Sequence, residues 1–183
     1  YEGMMIDFVD LTWTGDAQTY YNVRGTQCRL TRPRMNCVNT GQAIPFSIDQ
    51  GATDNTIDHG VFSVSAASNN FFHLGEPHSG TKFLHCSISF PPRTAVAGAH
   101  GQEGTTGLTF EGCSFYNYPG TIVGNGWTPD GTPLSQTWIG NEFYGQFTGA
   151  LLSLNAPVTT ADPSLGHVRF IGNIAIGTYV TAL

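Results

Sequence analysis

Charge is what this sequence has least of. Only 11% of its 183 residues are Asp, Glu, Lys or Arg, against roughly 25% in an average soluble domain. Lys82 is its one lysine. A disordered chain is excluded, because such chains are charge-rich and aromatic-poor, and 12% of residues here are aromatic. A nucleic-acid binder is excluded too. The net charge is -6, and the seven cations form no run that would neutralise phosphates. No apolar stretch approaches the roughly 18 residues of a membrane-spanning helix. Helical periodicity is missing, since apolar residues nowhere recur at i, i+3, i+4 and i+7 over three turns. With 23 glycines and 10 prolines, a coiled coil is excluded. Four cysteines are too few to build a fold of this length from disulfides. Cys28 and Cys37 are close enough in sequence to close a hairpin in an oxidising compartment. No C-x-x-C or His/Cys cluster has zinc spacing, so neither a structural metal nor a cofactor is expected. The chain opens at Tyr1 without a signal-peptide pattern and ends at Leu183 inside a strand pattern. A segment of a larger protein is expected.

What is present is a repeat. Four segments align: Phe83–Ile88, Phe110–Phe115, Trp138–Phe143 and Phe170–Ala175. Ile57–Phe62 fits just upstream. The shared pattern is large apolar, x, x, Cys/Asn/Gly, x, apolar, and its first positions recur every 26–32 residues. Short apolar, partly β-branched stretches follow at Asn70–Leu74, Thr94–Ala97, Gly120–Val123, Gly149–Leu152 and Thr178–Val180. These are strand signals. Two or three short strands per repeat make each repeat one coil of a solenoid, with equivalent strands stacked in parallel about 4.8 Å apart. Two inward columns are predicted: Ile57, Phe83, Phe110, Trp138 and Phe170, then Phe62, Ile88, Phe115, Phe143 and Ala175. The fourth position of the pattern (Gly60, Cys86, Cys113, Asn141, Asn173) is expected to turn the corner, because Gly and Asn tolerate positive φ. Cys86 and Cys113 are expected to be free thiols, since stacked residues have parallel Cβ vectors. Residues 1–54 read as a less regular coil and loop region ahead of a parallel β-helix over 55–183. Met5–Leu11 looks like an earlier coil strand. The cluster of Arg24, Arg29, Arg32 and Arg34 reads as a loop or hairpin at the side.

The F-x-G-N/C-x-F coils, each followed by a short Val/Ile strand, resemble the right-handed parallel β-helix of the pectin-lyase-like superfamily. The likeness covers about residues 55–183 and is closest to bacteriophage tailspike and tail-appendage β-helices. It implies an all-β right-handed solenoid and, by the tailspike likeness, a homotrimer. The calcium-binding aspartates and catalytic arginine of the lyases are not seen. Neither are the paired aspartates and R-x-K of polygalacturonases, so no catalytic labels carry over.

Insertions on a solenoid gather on one face and often bind ligands. The longer ones here are 98–108 (His100, Glu103), 124–136 (Asn125, Trp127, Pro129, Asp130) and 153–167 (Asp162, His167). Trp127 lies among turn residues, where an exposed indole offers a flat face to a sugar ring. Tyr116, Tyr118 and Tyr144 extend such a surface; alternatively they pack over a coil corner or against another subunit. Asp130 and Glu142 are candidate acceptors. Arg93 and Arg169 can pair with an acidic sugar, since a guanidinium forks onto a carboxylate. Glu111 and Glu142 are weak catalytic candidates. On adjacent coils their carboxyls would stand roughly 7–11 Å apart, overlapping the inverting-glycosidase range, or they are two solvated acids. Asp58, His59 and His85 form another group, either a base or an ordinary stacked polar ladder. Two stacked imidazoles would resist double protonation.

Three functions fit. The first is a virion tailspike or tail-fibre segment contacting host cell-surface polysaccharide. The second is a secreted polysaccharide lyase or glycoside hydrolase. The third is a structural filament or surface module without a site. A virion or extracellular location is expected, with a glycan and a homotrimer as partners and neither nucleic acid nor a membrane span.

Overall fold

The computed structural model describes residues 2–14, 19–23, 25–38, 44–48, 52–64, 70–74, 80–89, 97–101, 107–116, 122–125, 136–147, 152–155 and 168–179. Among these residues there are strands and corners but no helix. Every strand pairing is parallel, in three sheets. The first sheet stacks Met5–Asp7, Arg29–Thr31, Thr56–Asp58, Lys82–Leu84, Leu108–Glu111, Gln136–Ile139 and Val168–Ile171 in that order. The second stacks Asp10–Thr14, Arg34–Val38, Val61–Val64, Ser87–Ser89, Ser114–Tyr116, Glu142–Phe147 and Ile174–Tyr179. The third stacks Thr19–Val23, Ile44–Ile48, Asn70–Leu74, Ala97–Gly101, Ile122–Asn125 and Leu152–Asn155. The chain visits the sheets in rotation, so each strand pairs with the strand three later, the arrangement of a parallel β-solenoid.

Both predicted inward columns are present in register. Ile57, Phe83, Phe110, Trp138 and Phe170 pair successively, as do Phe62, Ile88, Phe115, Phe143 and Ala175. Leu30 and Ile6 extend the first column, and Met35 extends the second. Pairs in the columns stack face to face: Phe83 on Phe110 at 4.8 Å, Phe110 on Trp138 at 4.2 Å and Phe115 on Phe143 at 4.8 Å. No coil encloses its own apolar face; the neighbouring coils cover it.

Four sequence expectations differ from the structure. The left-handed corner falls at the third position of the pattern. Arg32, His59, His85, Gly112, Gly140 and Gly172 have φ between 52° and 62°, with Phe8 at 59° in the first coil. The fourth position points inward instead. Gly60 is needed there for space, because an added Cβ would stand 2.5 Å from the Phe62 ring. Second, residues 2–48 carry strands of the same three sheets, so the stacking begins well before residue 55. Third, the arginine-rich stretch is a coil, not a hairpin: Arg29–Thr31 and Arg34–Val38 belong to different sheets. Two of its arginines pair between coils, Arg29 with Asp58 and Arg32 with Asp7. The Cys37 side chain lies outside the described residues, as do Arg24 and residues 15–18. Fourth, a third-sheet strand runs over Ala97–Gly101, into the 98–108 stretch read as a loop, while residues 94–96 lie outside the described residues. Ladder pairing to Asn70–Leu74 makes it, because Ala-Gly-Ala-His-Gly has little strand propensity of its own. Thr178 belongs to the second sheet, in register with Gln146.

The inward fourth position forms a polar ladder. The Asn141 amide donates to the Phe110 carbonyl (3.0 Å) and to Asn173 Oδ1 (2.8 Å). Its own Oδ1 accepts the Cys113 N–H at 2.9 Å. Asn173 Nδ2 donates to the Trp138 carbonyl at 2.8 Å. In the coils before, Cys86 and Cys113 fill the place as thiols. Their sulfurs lie 3.7 and 3.4 Å from the Ile57 and Phe83 carbonyls. The hydrogen bond to Cys113, together with burial, pushes the Cys86 thiol well above its ordinary range.

Candidate functional site

The corner between the first and second sheets gathers titratable groups. Asp58 ends its first-sheet strand and is 8% exposed. His59 follows it at the left-handed corner, and His85 holds the same place one coil on. Main-chain bonds fix both: His59 N–H donates to the Leu84 carbonyl (2.9 Å) and His85 N–H to the Glu111 carbonyl (2.8 Å). Their imidazoles lie 4.9 Å apart, centroid to centroid, and tilt by 34°. Both Nδ1 atoms face Asp58 Oδ1, at 2.7 Å from His59 and 3.5 Å from His85. A carboxylate can only accept, so the bonding Nδ1 carries the proton. Arg29 Nη2 donates to the other oxygen, Oδ2, at 2.7 Å.

Burial alone would raise the Asp58 carboxyl. The hydrogen bonds from Arg29, His59 and His85 outweigh it and hold the group below the ordinary carboxylate range. A depressed folded-state pKa means that the carboxylate's contribution to stability is present above the unfolded value near 3.9. It is lost as pH falls through the lower folded value. Asp58→Asn should therefore destabilise the protein at neutral pH, and the gap from wild type should narrow below about pH 4. Thermal midpoints of both proteins across pH 2–7 check this; a constant gap would refute it.

A second cluster lies on the outward face of the second sheet. Tyr116 and Tyr144 are in register on adjacent coils, with rings 5.1 Å apart and within 6° of parallel. Tyr144 OH donates to Glu142 Oε2 at 2.6 Å, and this bond raises the phenol above its ordinary pKa. Ile174 and Ile176, about half exposed, continue these outward columns onto the next coil.

Of the residues singled out from sequence, the structure brings together Asp58, His59 and His85, and separately Tyr116, Tyr144 and Glu142. Glu111 and Glu142 lie in different sheets, on either side of a corner. In the first sheet the residue in register with Glu111 is Ile139. Arg169 is exposed on the first sheet, in register with Thr137. Trp127, Asp130, Tyr118, Arg93, Glu103, Pro129, Asp162 and His167 lie outside the described residues. His100 is in a third-sheet strand, in register with His73. Arg29, which holds Asp58, was legible only as one arginine of a cluster; its alignment three residues ahead of the coil corner was the available signal. Among the described residues no helix is long and apolar enough to cross a membrane. Comparison with family models, with curated proteins and with solved structures finds no match for this chain, so its functional reading rests on the geometry of its own residues.

Proposed function

We propose that this chain is a right-handed, pectin-lyase-like β-helical segment of a virion tailspike or tail fibre, and that it contacts host cell-surface polysaccharide. Parallel strands joined by crossovers are almost always right-handed. The observation that carries the glycan reading is the parallel Tyr116–Tyr144 pair on the outward face. Coils repeat about every 4.8 Å, close to the roughly 5 Å advance of an extended sugar chain. Successive sugars can then meet successive coils, with the exposed edges of the stacked rings against their CH groups and the Glu142 carboxylate as an acceptor. The low charge and single lysine suit a saccharide better than a nucleic acid. In the homotrimer, Ile174 and Ile176 supply apolar surface for contact between copies.

A glycan array probed with the wild-type chain should show selective binding to bacterial surface polysaccharide. Tyr116→Ala should weaken it about tenfold and leave the mass measured by light scattering unchanged. If Tyr116→Ala instead breaks the assembly and spares the affinity, the tyrosines belong to a contact between copies. Release of new reducing ends or unsaturated uronates from the bound polysaccharide would favour the lyase or hydrolase reading.

A further inference from the structure

The corner of Asp58, His59 and His85 has a use that does not depend on glycan binding. We propose that these three side chains bind one divalent transition-metal ion of the borderline class, with Zn2+ as the reference ion. Two imidazole nitrogens and a carboxylate oxygen are the donor set such ions take. One ligand atom from each residue lies within 4.8 Å of the other two. A tetrahedral ion with bonds of about 2.1 Å holds its ligand atoms about 3.4 Å apart. The separations from Asp58 Oδ1 already bracket that distance, at 2.7 and 3.5 Å. Each neutral ring moves its proton from Nδ1 to Nε2 and presents the Nδ1 lone pair, so only small rotations are required.

The surroundings are built for it. Arg29 occupies Asp58 Oδ2 and leaves Oδ1 for the ion, orienting the carboxylate as an outer partner does. The two histidines are rigid in backbone, each tied to the next coil by a main-chain bond. Their side chains are 60% and 55% exposed, so one coordination position faces solvent, as in an open three-ligand site. Gly112 closes the ladder on the next coil; a Cβ there would stand 3.0 Å from His85 Cδ2. Sequence grouped the three residues, but with His85 a whole coil away from Asp58 and His59 only the stacking register brings their ligand atoms together.

The test uses the full 183-residue chain and ZnCl2 in a non-coordinating buffer. Calorimetry should show one saturable ion per chain. Glycine suits the corner, as Gly112, Gly140 and Gly172 show, so His59→Gly and His85→Gly should keep the fold. Each should weaken binding about tenfold or more. A second measurement needs no variant: Zn2+ should protect His59 and His85 from acylation by diethyl pyrocarbonate, read peptide by peptide. Affinity unchanged in the His59→Gly/His85→Gly double variant would overturn the site. So would protection at His73 and His100 instead, or the absence of saturable binding.

Discussion

Trp138→Ala should lower the unfolding free energy by about 3–5 kcal/mol, the range for deleting a buried indole. Trp138 is 1% exposed. It stacks on Phe110 at 4.2 Å and touches Phe115 and Phe143, with centroids 5.9 and 6.3 Å away. The indole thus ties both inward columns together. Strand pairing holds its backbone on two sides, at Phe110 and Phe170, so the walls cannot collapse into the space left. The cost then includes both lost transfer energy and an unfilled cavity. Phe170→Ala, at a half-buried position of the same column, should cost clearly less. Denaturant unfolding of the two variants checks the order. A Trp138→Ala loss under about 1 kcal/mol would mean that the column is not the core.

Asn141→Ala should cost about 3 kcal/mol for a different reason. The side chain is fully buried and satisfies the Phe110 carbonyl and the Cys113 N–H. Removing it orphans the buried Cys113 N–H at about 1–3 kcal/mol, takes one hydrogen bond from the Phe110 carbonyl and leaves a cavity. Asn173 Oδ1 retains the Asn141 N–H at 2.9 Å, so the damage stops there. Asn141→Asp keeps the shape but cannot donate to Phe110 when ionised, and it buries a charge; it should be at least as harmful. Asn141→Cys should be the mildest, because Cys86 and Cys113 fill the equivalent place with sulfurs set against main-chain carbonyls. Thermal or denaturant unfolding of the three variants gives the ranking. Equal losses for Cys and Ala would show that a sulfur cannot stand in for the amide at this place.

The two columns were legible because stacking converts sequence repetition directly into contact. A residue such as Phe110 meets Phe83 and Trp138 only because each lies one coil away in the chain. The corner was displaced by one residue because Gly and Asn each have two uses. In Gly112, Gly140 and Gly172 glycine provides positive φ, whereas Gly60 provides room for Phe62. In Asn141 and Asn173 the amide is wanted for its hydrogen bonds rather than for its backbone freedom. Local propensity cannot separate these uses. Phe8, Arg32, His59 and His85 take the left-handed conformation without glycine, so the corner rule was invisible at four of these seven corners.

Sequence alone determined the strand class, the coil length and the two inward columns of large apolar side chains, since a period-two pattern that recurs every coil has one way to bury its apolar residues. Tertiary structure decided what the outward side chains meet. Asp58, His59, His85 and Arg29 come from three successive coils, and only the register between coils sets the Asp58 carboxylate against two imidazoles and a guanidinium. The same register lays Tyr144 over Tyr116. A solenoid's core follows from its repeat, but its surface chemistry depends on the stacking offset, which outward residues do not encode because solvent accepts any of them.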